Sequence, residues 1–408
     1  MSRFLLIGDT HPEMIAIANE LAFRNLSFKL ILPTYFTVGE ARIIANLGIR
    51  FTKFDPWLKK RTLNAAITKK QLIRKYAVLE LLTWLAKRYG REQIFWLLWQ
   101  SYRNLLSKNM SVILESICPE TVISYDTIQL PLPSSYRHIV ICPMTHPSEV
   151  RKALIHSKTL FPNWPEMNDE TPMGISNTAR EADTLVVLSN FAKQSYVSQG
   201  MEPGKIEVIH IGPINGSDYP QTRSNAFPSS KLSVLYLGRM TRIKGIDALI
   251  QVSHLLDPSQ ISISLVGQSS PEITKYIRNK CNPDVLSLYV NPSPSEVTTF
   301  YRNSHIFVLP SFNEGFGIAS LEAMTYGLIP ILSTSTGVSE ILDDTKLSNL
   351  VIRPGDVSQL HTNLNFLQSL NLVQFTEYQQ LAIDISKKFS FSNFSKDFVS
   401  RILKNGDN

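Results

Sequence analysis

The sequence predicts an α/β protein built from two doubly wound parallel sheets that face a cleft. Three observations carry this. Short apolar runs alternate with helical patterns in both halves of the 408 residues, the rhythm of parallel βα units. The length suits two or three domains. A stretch rich in Pro, Gly and Ser, residues 212–230, separates the two regular regions and reads as a linker.

The first region, residues 1–211, opens with an apolar run over Phe4–Ile7, followed by a helical pattern through Leu21 and a second strand over Phe28–Leu32. Residues 58–108 interrupt the alternation as one or two long amphipathic helices, with Gly90 as the break. Strands follow at Thr121–Ser124, His138–Cys142, Thr184–Leu188 and Ile206–Ile209. Between them come a Pro/Asn-rich surface loop from Phe161 to Pro172, a helix near 174–182 and a helix from Asn190. The second region, residues 231–372, has strands at Ser233–Leu237, Ile261–Val266, Val285–Tyr289, Ile306–Leu309, Ile329–Leu332 and Leu350–Ile352. Residues 373–408 read as C-terminal helices.

Composition narrows the function classes. Hydrophobic residues make up 43% and charged residues 18%, so the chain is folded rather than globally disordered. Cys118, Cys142 and Cys281 are scattered and lack metal-ligand spacing, which fits a cytoplasmic, reducing location. The apolar start ends at Asp9, too soon for a secretory signal. The formal charge is +7, but residues 58–108 alone hold twelve basic and two acidic residues, +10 net, leaving −3 elsewhere. That segment also carries Trp84, Phe95, Trp96 and Trp99. It reads equally as a peripheral contact with an anionic bilayer or as core helices with solvated cations. No recognised nucleic-acid-binding module accompanies the charge, so nucleic acid is not an expected partner.

In open α/β sheets ligands bind beyond the carboxyl ends of strands, and two motifs sit there. After the strand ending at Leu237 come Gly238-Arg239, with Lys244-Gly245 further on. Gly238 permits a sharp exit, and Arg239 and Lys244 suit a diphosphate or, more blandly, an ordinary solvated loop. Arg242 reads as solvent-facing. After the strand ending at Leu309 come Glu314-Gly315-Phe316-Gly317 and Leu321-Glu322-Ala323. The glycines allow close approach to the backbone, and the start of the next helix offers free N–H groups. The two carboxylates can accept hydrogen bonds from sugar hydroxyls and a ribose diol.

On these motifs, over roughly residues 180–370, the chain resembles the retaining glycosyltransferases of the GT-B fold, specifically glycosyltransferase family 4. Ala182-Asp183, Ser189 and Arg353-Pro354-Gly355-Asp356 add to the likeness. The resemblance implies two Rossmann-like domains and transfer of a sugar from a nucleoside-diphosphate donor to a hydroxyl acceptor, a glycan or lipid-linked glycan. It implies no cofactor and no active-site metal. It assigns Arg239 and Lys244 to the donor diphosphate, Glu314 to the donor sugar, Glu322 to the ribose, and Gly238, Gly315, Phe316 and Gly317 to the donor loops. His146, just past the strand ending at Cys142, matches a histidine near the donor sugar. Asp9, His11 and Asp126 are acceptor-side candidates, and His210 reads as structural. The chain departs from the family in Gly8-Asp9-Thr10-His11, without a Gly-Gly pair, and in Val290-Asn291, without a glycine. A catalytically silent scaffold that binds a nucleotide sugar or a partner enzyme is the alternative.

Overall fold

The computed structural model describes residues 3–8, 12–31, 92–126, 132–165, 177–213 and 231–403, with Leu130 and a few positions between 67 and 86. Two parallel sheets organise it. The first contains β1 (Phe4–Ile7), β2 (Phe28–Ile31), β3 (Thr121–Tyr125), β4 (Arg137–Cys142), β5 (Thr184–Val187) and β6 (Ile206–Val208), in the order β2-β1-β3-β4-β5-β6. The second contains β7 (Leu232–Leu237), β8 (Ile261–Gly267), β9 (Leu286–Val290), β10 (Ile306–Leu309) and β11 (Ile329–Leu332), in the order β11-β10-β7-β8-β9. Among the described residues every strand ladder is parallel.

The strand sequences explain the burial. β1, β10 and β11 read FLLI, IFVL and IPIL, and every residue in them is buried, as expected where helices cover both faces of a parallel sheet. β8 reads ISISLVG and alternates buried with half-buried positions, so that flank of the second sheet is less completely covered. The sixth strand expected at Leu350–Ile352 is not one. Lys346–Leu350 forms a 3₁₀ turn, with Thr345 accepting from the Leu347 N–H, and Ile352 pairs with the sheet's edge only through a single bridge to Ser333.

Residues after 386 return to the first sheet. The helix Phe391–Asp397 and the π-turn Phe398–Ile402 pack on the helix Pro12–Phe23. Phe394 and Phe398 share one buried cluster with Met14, Ile17 and Leu21. Arg24 donates to the Ser400 hydroxyl at 3.1 Å, and Arg137 to the Ile402 carbonyl at 2.9 Å. Of the expected linker, residues 214–230 lie outside the described residues. Gly212 lies so close to the Phe389–Ser390 backbone that a Cβ would collide with it.

The basic segment is described mainly over the helices Glu92–Lys108 and Met110–Ile117. One face is core: Tyr102, Leu106, Met110 and Leu114 are buried with Leu5 and Ile7, and Trp99 stacks on Tyr102 at 5.5 Å. The opposite face is not: Trp96 is 55% exposed and Leu97 65%. The core reading therefore holds for one face of this helix, and the other face is open to solvent. Its cations Lys59, Lys60 and Arg61 lie outside the described residues. Among the described residues no helix is long and apolar enough to cross a membrane.

Candidate active site

Each strand order has one switch point, where successive connections run in opposite directions. It falls between β1 and β3 in the first sheet and between β7 and β10 in the second. Ligand crevices form at such points. The loops after β7 and β10 carry Arg239, Lys244 and Glu314, and Asp126 directly follows β3.

On the second sheet, Gly238 donates its N–H to the Val266 carbonyl at 3.0 Å. The Tyr236 hydroxyl donates to the Arg239 carbonyl at 2.7 Å and so fixes the exit from β7. Burial, and then the Glu314 carboxylate, push the Tyr236 hydroxyl's pKa up, against the nearby Arg239. The Arg239 side chain is exposed. The 3₁₀ turn Arg242–Lys244 follows, and its Lys244 ammonium pairs directly with the Glu314 carboxylate. The Phe312 N–H donates to the Ile243 carbonyl at 2.7 Å, joining the two loops.

The Glu314 loop is held from behind. The Glu314 N–H donates to the Ser335 carbonyl, and the Gly337 N–H to the Glu314 carbonyl, each at 2.9 Å. Gly315 leaves no room for a Cβ, which would overlap the Pro143 carbonyl of the first domain. Gly317, at φ +99°, turns the chain into the helix Ile318–Thr325, a conformation costly for any other residue. Phe316 is buried, and its ring stacks on His210 at 5.8 Å. Glu322, one turn into the helix, accepts from the Tyr301 hydroxyl at 2.9 Å. Burial raises its pKa, against that hydrogen bond.

On the first sheet, β4 delivers the chain to this loop. Thr145 donates to the Asn313 side-chain oxygen at 2.8 Å. His146 then caps the helix Pro147–Leu160: its Nδ1 accepts from the Ser148 N–H at 3.1 Å. A neutral imidazole held this way carries its proton on Nε2. Burial, helped by Arg180 and Arg151, lowers its pKa and favours that neutral form. Tyr196 meets the His146 ring edge-on at 5.3 Å. Asp126 accepts from the Cys142 thiol at 3.1 Å, and the Tyr196 hydroxyl lies 2.8 Å from the same sulfur. With the thiol proton directed at Asp126, the Tyr196 hydroxyl is the donor to sulfur. Burial and Asp126 hold the Cys142 pKa well up, so this cysteine is an inert link in a network, not a nucleophile. Asp9 and His11 lie outside the described residues.

Sequence reasoning missed much of the seam between the domains. Ser189 donates to the Gly315 carbonyl at 2.6 Å while capping the helix Asn190–Val197 through the Ala192 N–H. Glu340, from the second domain, accepts from the Asn190 N–H at 2.9 Å and sits 2.6 Å from His210 Nε2. Arg242 is not solvent-facing: it is 2% exposed and donates at 2.8 Å to both the Phe161 and Trp164 carbonyls. For the same reason the start of the expected surface loop Phe161–Pro172 is not at the surface, since Phe161 and Trp164 are buried against the second domain, while residues 166–172 lie outside the described residues. No local pattern marks these contacts; each depends on the partner domain. Among the described residues no three His, Cys, Asp or Glu side chains group as metal ligands.

Known proteins agree with this architecture. Residues 220–382 match the family model described as Glycosyl transferases group 1. The GDP-mannose:cellobiosyl-diphosphopolyprenol alpha-mannosyltransferase of Xanthomonas oryzae pv. oryzae is 32% identical over 138 residues, 32% of this chain and 35% of the relative. Matches to the curated relatives span 35–49% of those proteins' lengths. A glycosyltransferase from Rickettsia africae ESF-5 superposes with TM-score 0.61 at 15% identity, covering 99% of both chains. Sucrose-phosphate synthase from Thermosynechococcus elongatus superposes with TM-score 0.62 at 14% identity, covering 100% of both. Over residues 220–382 the chain is thus similar to the glycosyl transferases group 1, and its two-sheet architecture is the GT-B fold of these solved structures.

Proposed function

We propose that the chain is a retaining glycosyltransferase that moves a sugar from a nucleoside-diphosphate donor to a hydroxyl acceptor, a glycan or lipid-linked glycan. The observation that carries this is the Lys244–Glu314 pair at the switch point between β7 and β10. It sets a cation for phosphate beside a carboxylate for sugar hydroxyls, just ahead of the helix that starts at Gly317. As the glycosidic bond breaks, negative charge grows on the departing diphosphate. Arg239, Lys244 and the N–H groups after Gly317 stabilise that charge in a cleft from which closure excludes water. In this reading these groups supply the positive charge, and no bound metal or cofactor is invoked. Glu322 receives the ribose, and the Nε2–H of His146 donates to the sugar. No carboxylate stands as a double-displacement nucleophile in this reading. The donor phosphate takes the acceptor proton on the face the leaving group departs from, which retains the anomeric configuration.

The acceptor sits over β1 and β3, at Asp9, His11 and Asp126. The exposed Trp96 and Leu97 support a peripheral contact with an anionic bilayer on its cytoplasmic side, and the 32%-identical relative is named for a diphosphopolyprenol acceptor. The test is a thermal-shift screen of UDP-, GDP- and ADP-sugars, followed by donor hydrolysis and transfer assays with the sugar that stabilises. Stabilisation and transfer with retained configuration are expected. Stabilisation with no hydrolysis or transfer would mean a silent nucleotide-sugar-binding scaffold instead.

A further inference from the structure

Arg242 lies on the donor loop, between Arg239 and Lys244, yet it does not point at the donor crevice. Its guanidinium is 2% exposed, and a buried cation is tolerated only where its hydrogen bonds are made. Nη1 and Nη2 each donate, at 2.8 Å, to the Phe161 and Trp164 carbonyls. Phe161 is the C-cap of the helix Pro147–Leu160, and His146 is the N-cap of that same helix. Carbonyls at a helix C-terminus carry partial negative charge and favour a cation. Apolar contacts surround the joint. Phe161 and His156 meet Phe312 edge-on at 6.1 and 5.4 Å, and Trp164 meets Tyr276 at 5.3 Å. Asp247, 4% exposed, accepts from the Tyr276 hydroxyl at 2.9 Å, so a carboxylate shares the pocket with the guanidinium.

We infer that Arg242 is a positioning residue: it fastens the donor loop to the C-terminus of the helix Pro147–Leu160 and so sets His146, at the other end of that helix, against the donor site. This rests on the donor reading given above. The helix is one rigid body of 14 residues, so engagement at one end places the other. The donor site is complete only when the two domains are joined at this point.

The test uses the full chain with Arg242→Met and Arg242→Lys. Two measurements are made on each: donor-dependent steady-state kinetics, and amide hydrogen exchange at 161–164 and 239–245. Losing two charge-assisted hydrogen bonds should raise the donor KM about 10- to 100-fold for Arg242→Met, with a smaller fall in kcat. Exchange should quicken at both segments together. Arg242→Lys keeps the charge but not the fork, and should show a rise of several-fold. If the Met variant does not fold, the Lys variant decides alone. A wild-type donor KM with unchanged exchange overturns the inference, and so does faster exchange confined to 239–245. If the wild type binds no donor, the donor reading fails. The exchange pattern then still judges the coupling: paired quickening supports it and unpaired quickening refutes it.

Discussion

Replacing Lys244 with alanine tests the proposed chemistry most directly. Its ammonium is 18% exposed and its Glu314 partner 22%, so the pair is partly shielded from water. At an effective dielectric near 20, two unit charges about 4 Å apart interact by roughly 4 kcal/mol. Removing one group that stabilises a leaving oxyanion typically costs about 3–4 kcal/mol, or roughly 10²–10³ in kcat. Lys244→Ala adds a second penalty, because Glu314 is left unneutralised beside the place where the diphosphate charge grows. The expected result is therefore a loss of kcat of about 10²–10³ or more. Stability should fall by about 1–3 kcal/mol, since Glu314 loses its partner in a partly shielded site. The assay is initial-rate transfer at saturating donor, paired with a melting curve of the same sample. Turnover within about tenfold of wild type, in a folded variant, would refute a transition-state role for Lys244.

Three further outcomes follow from the same geometry. Burial raises the Glu322 pKa, so the ionised carboxylate costs folded-state stability at high pH, and that cost is relieved as pH falls through the raised value. Melting curves should show Glu322→Gln gaining over wild type at pH 8 and losing that advantage in acid; an advantage independent of pH contradicts the assignment. Burial holds His138 down to about 4, against Asp183, so the unfolded chain binds an extra proton between about pH 4 and 6.5, and stability falls across that window as pH is lowered. The loss should approach about 3 kcal/mol, and denaturant titrations of His138→Gln should lack it. In liposome sedimentation at low salt, replacing both Trp96 and Leu97 with serine should weaken binding to anionic vesicles several-fold; wild-type protein that fails to sediment removes the membrane contact altogether.

The second sheet was legible because its motifs answer to backbone demands. A strand, a glycine, a cation and a helix start fall within a dozen residues, and Gly315 and Gly317 stand where a Cβ would collide or φ must be positive. The first sheet was legible as strands but much less as a site. Asp126, Cys142 and Tyr196 come from three places in the sequence and meet only after β3, β4 and the helix Asn190–Val197 are assembled. Leu350–Ile352 reads as a strand by composition, yet Thr345 caps a 3₁₀ turn there. Arg242 misled for a related reason. A loop cation next to Arg239 and Lys244 has the same local pattern whether it faces water or a partner domain, and only the Phe161 and Trp164 carbonyls decide.

That asymmetry has a physical source in where the two domains must agree. Among the described residues, four of the polar links that cross the seam near the candidate site are Thr145 to Asn313, Ser189 to the Gly315 carbonyl, Glu340 to the Asn190 N–H, and Arg242 to the Phe161 and Trp164 carbonyls. In three of the four the main chain supplies at least one partner, so these links constrain position rather than residue type. They also act at helix ends. Ser189 and Glu340 serve the start of Asn190–Val197, and Arg242 serves the end of Pro147–Leu160. A helix end leaves up to four unmet backbone groups, so each docked end gives a reason for the other domain to sit there and nowhere else. Joining the domains is then partly a matter of satisfying helix termini, and one of the groups that does so, Arg242, branches from the loop that carries Lys244. A domain that swings away must expose those termini and, in the same motion, part Gly315 from Ser189 and Arg242 from the helix that carries His146. In the proposed reaction the turn Arg242–Lys244 therefore serves both the donor site, through Lys244, and the join between the domains, through Arg242.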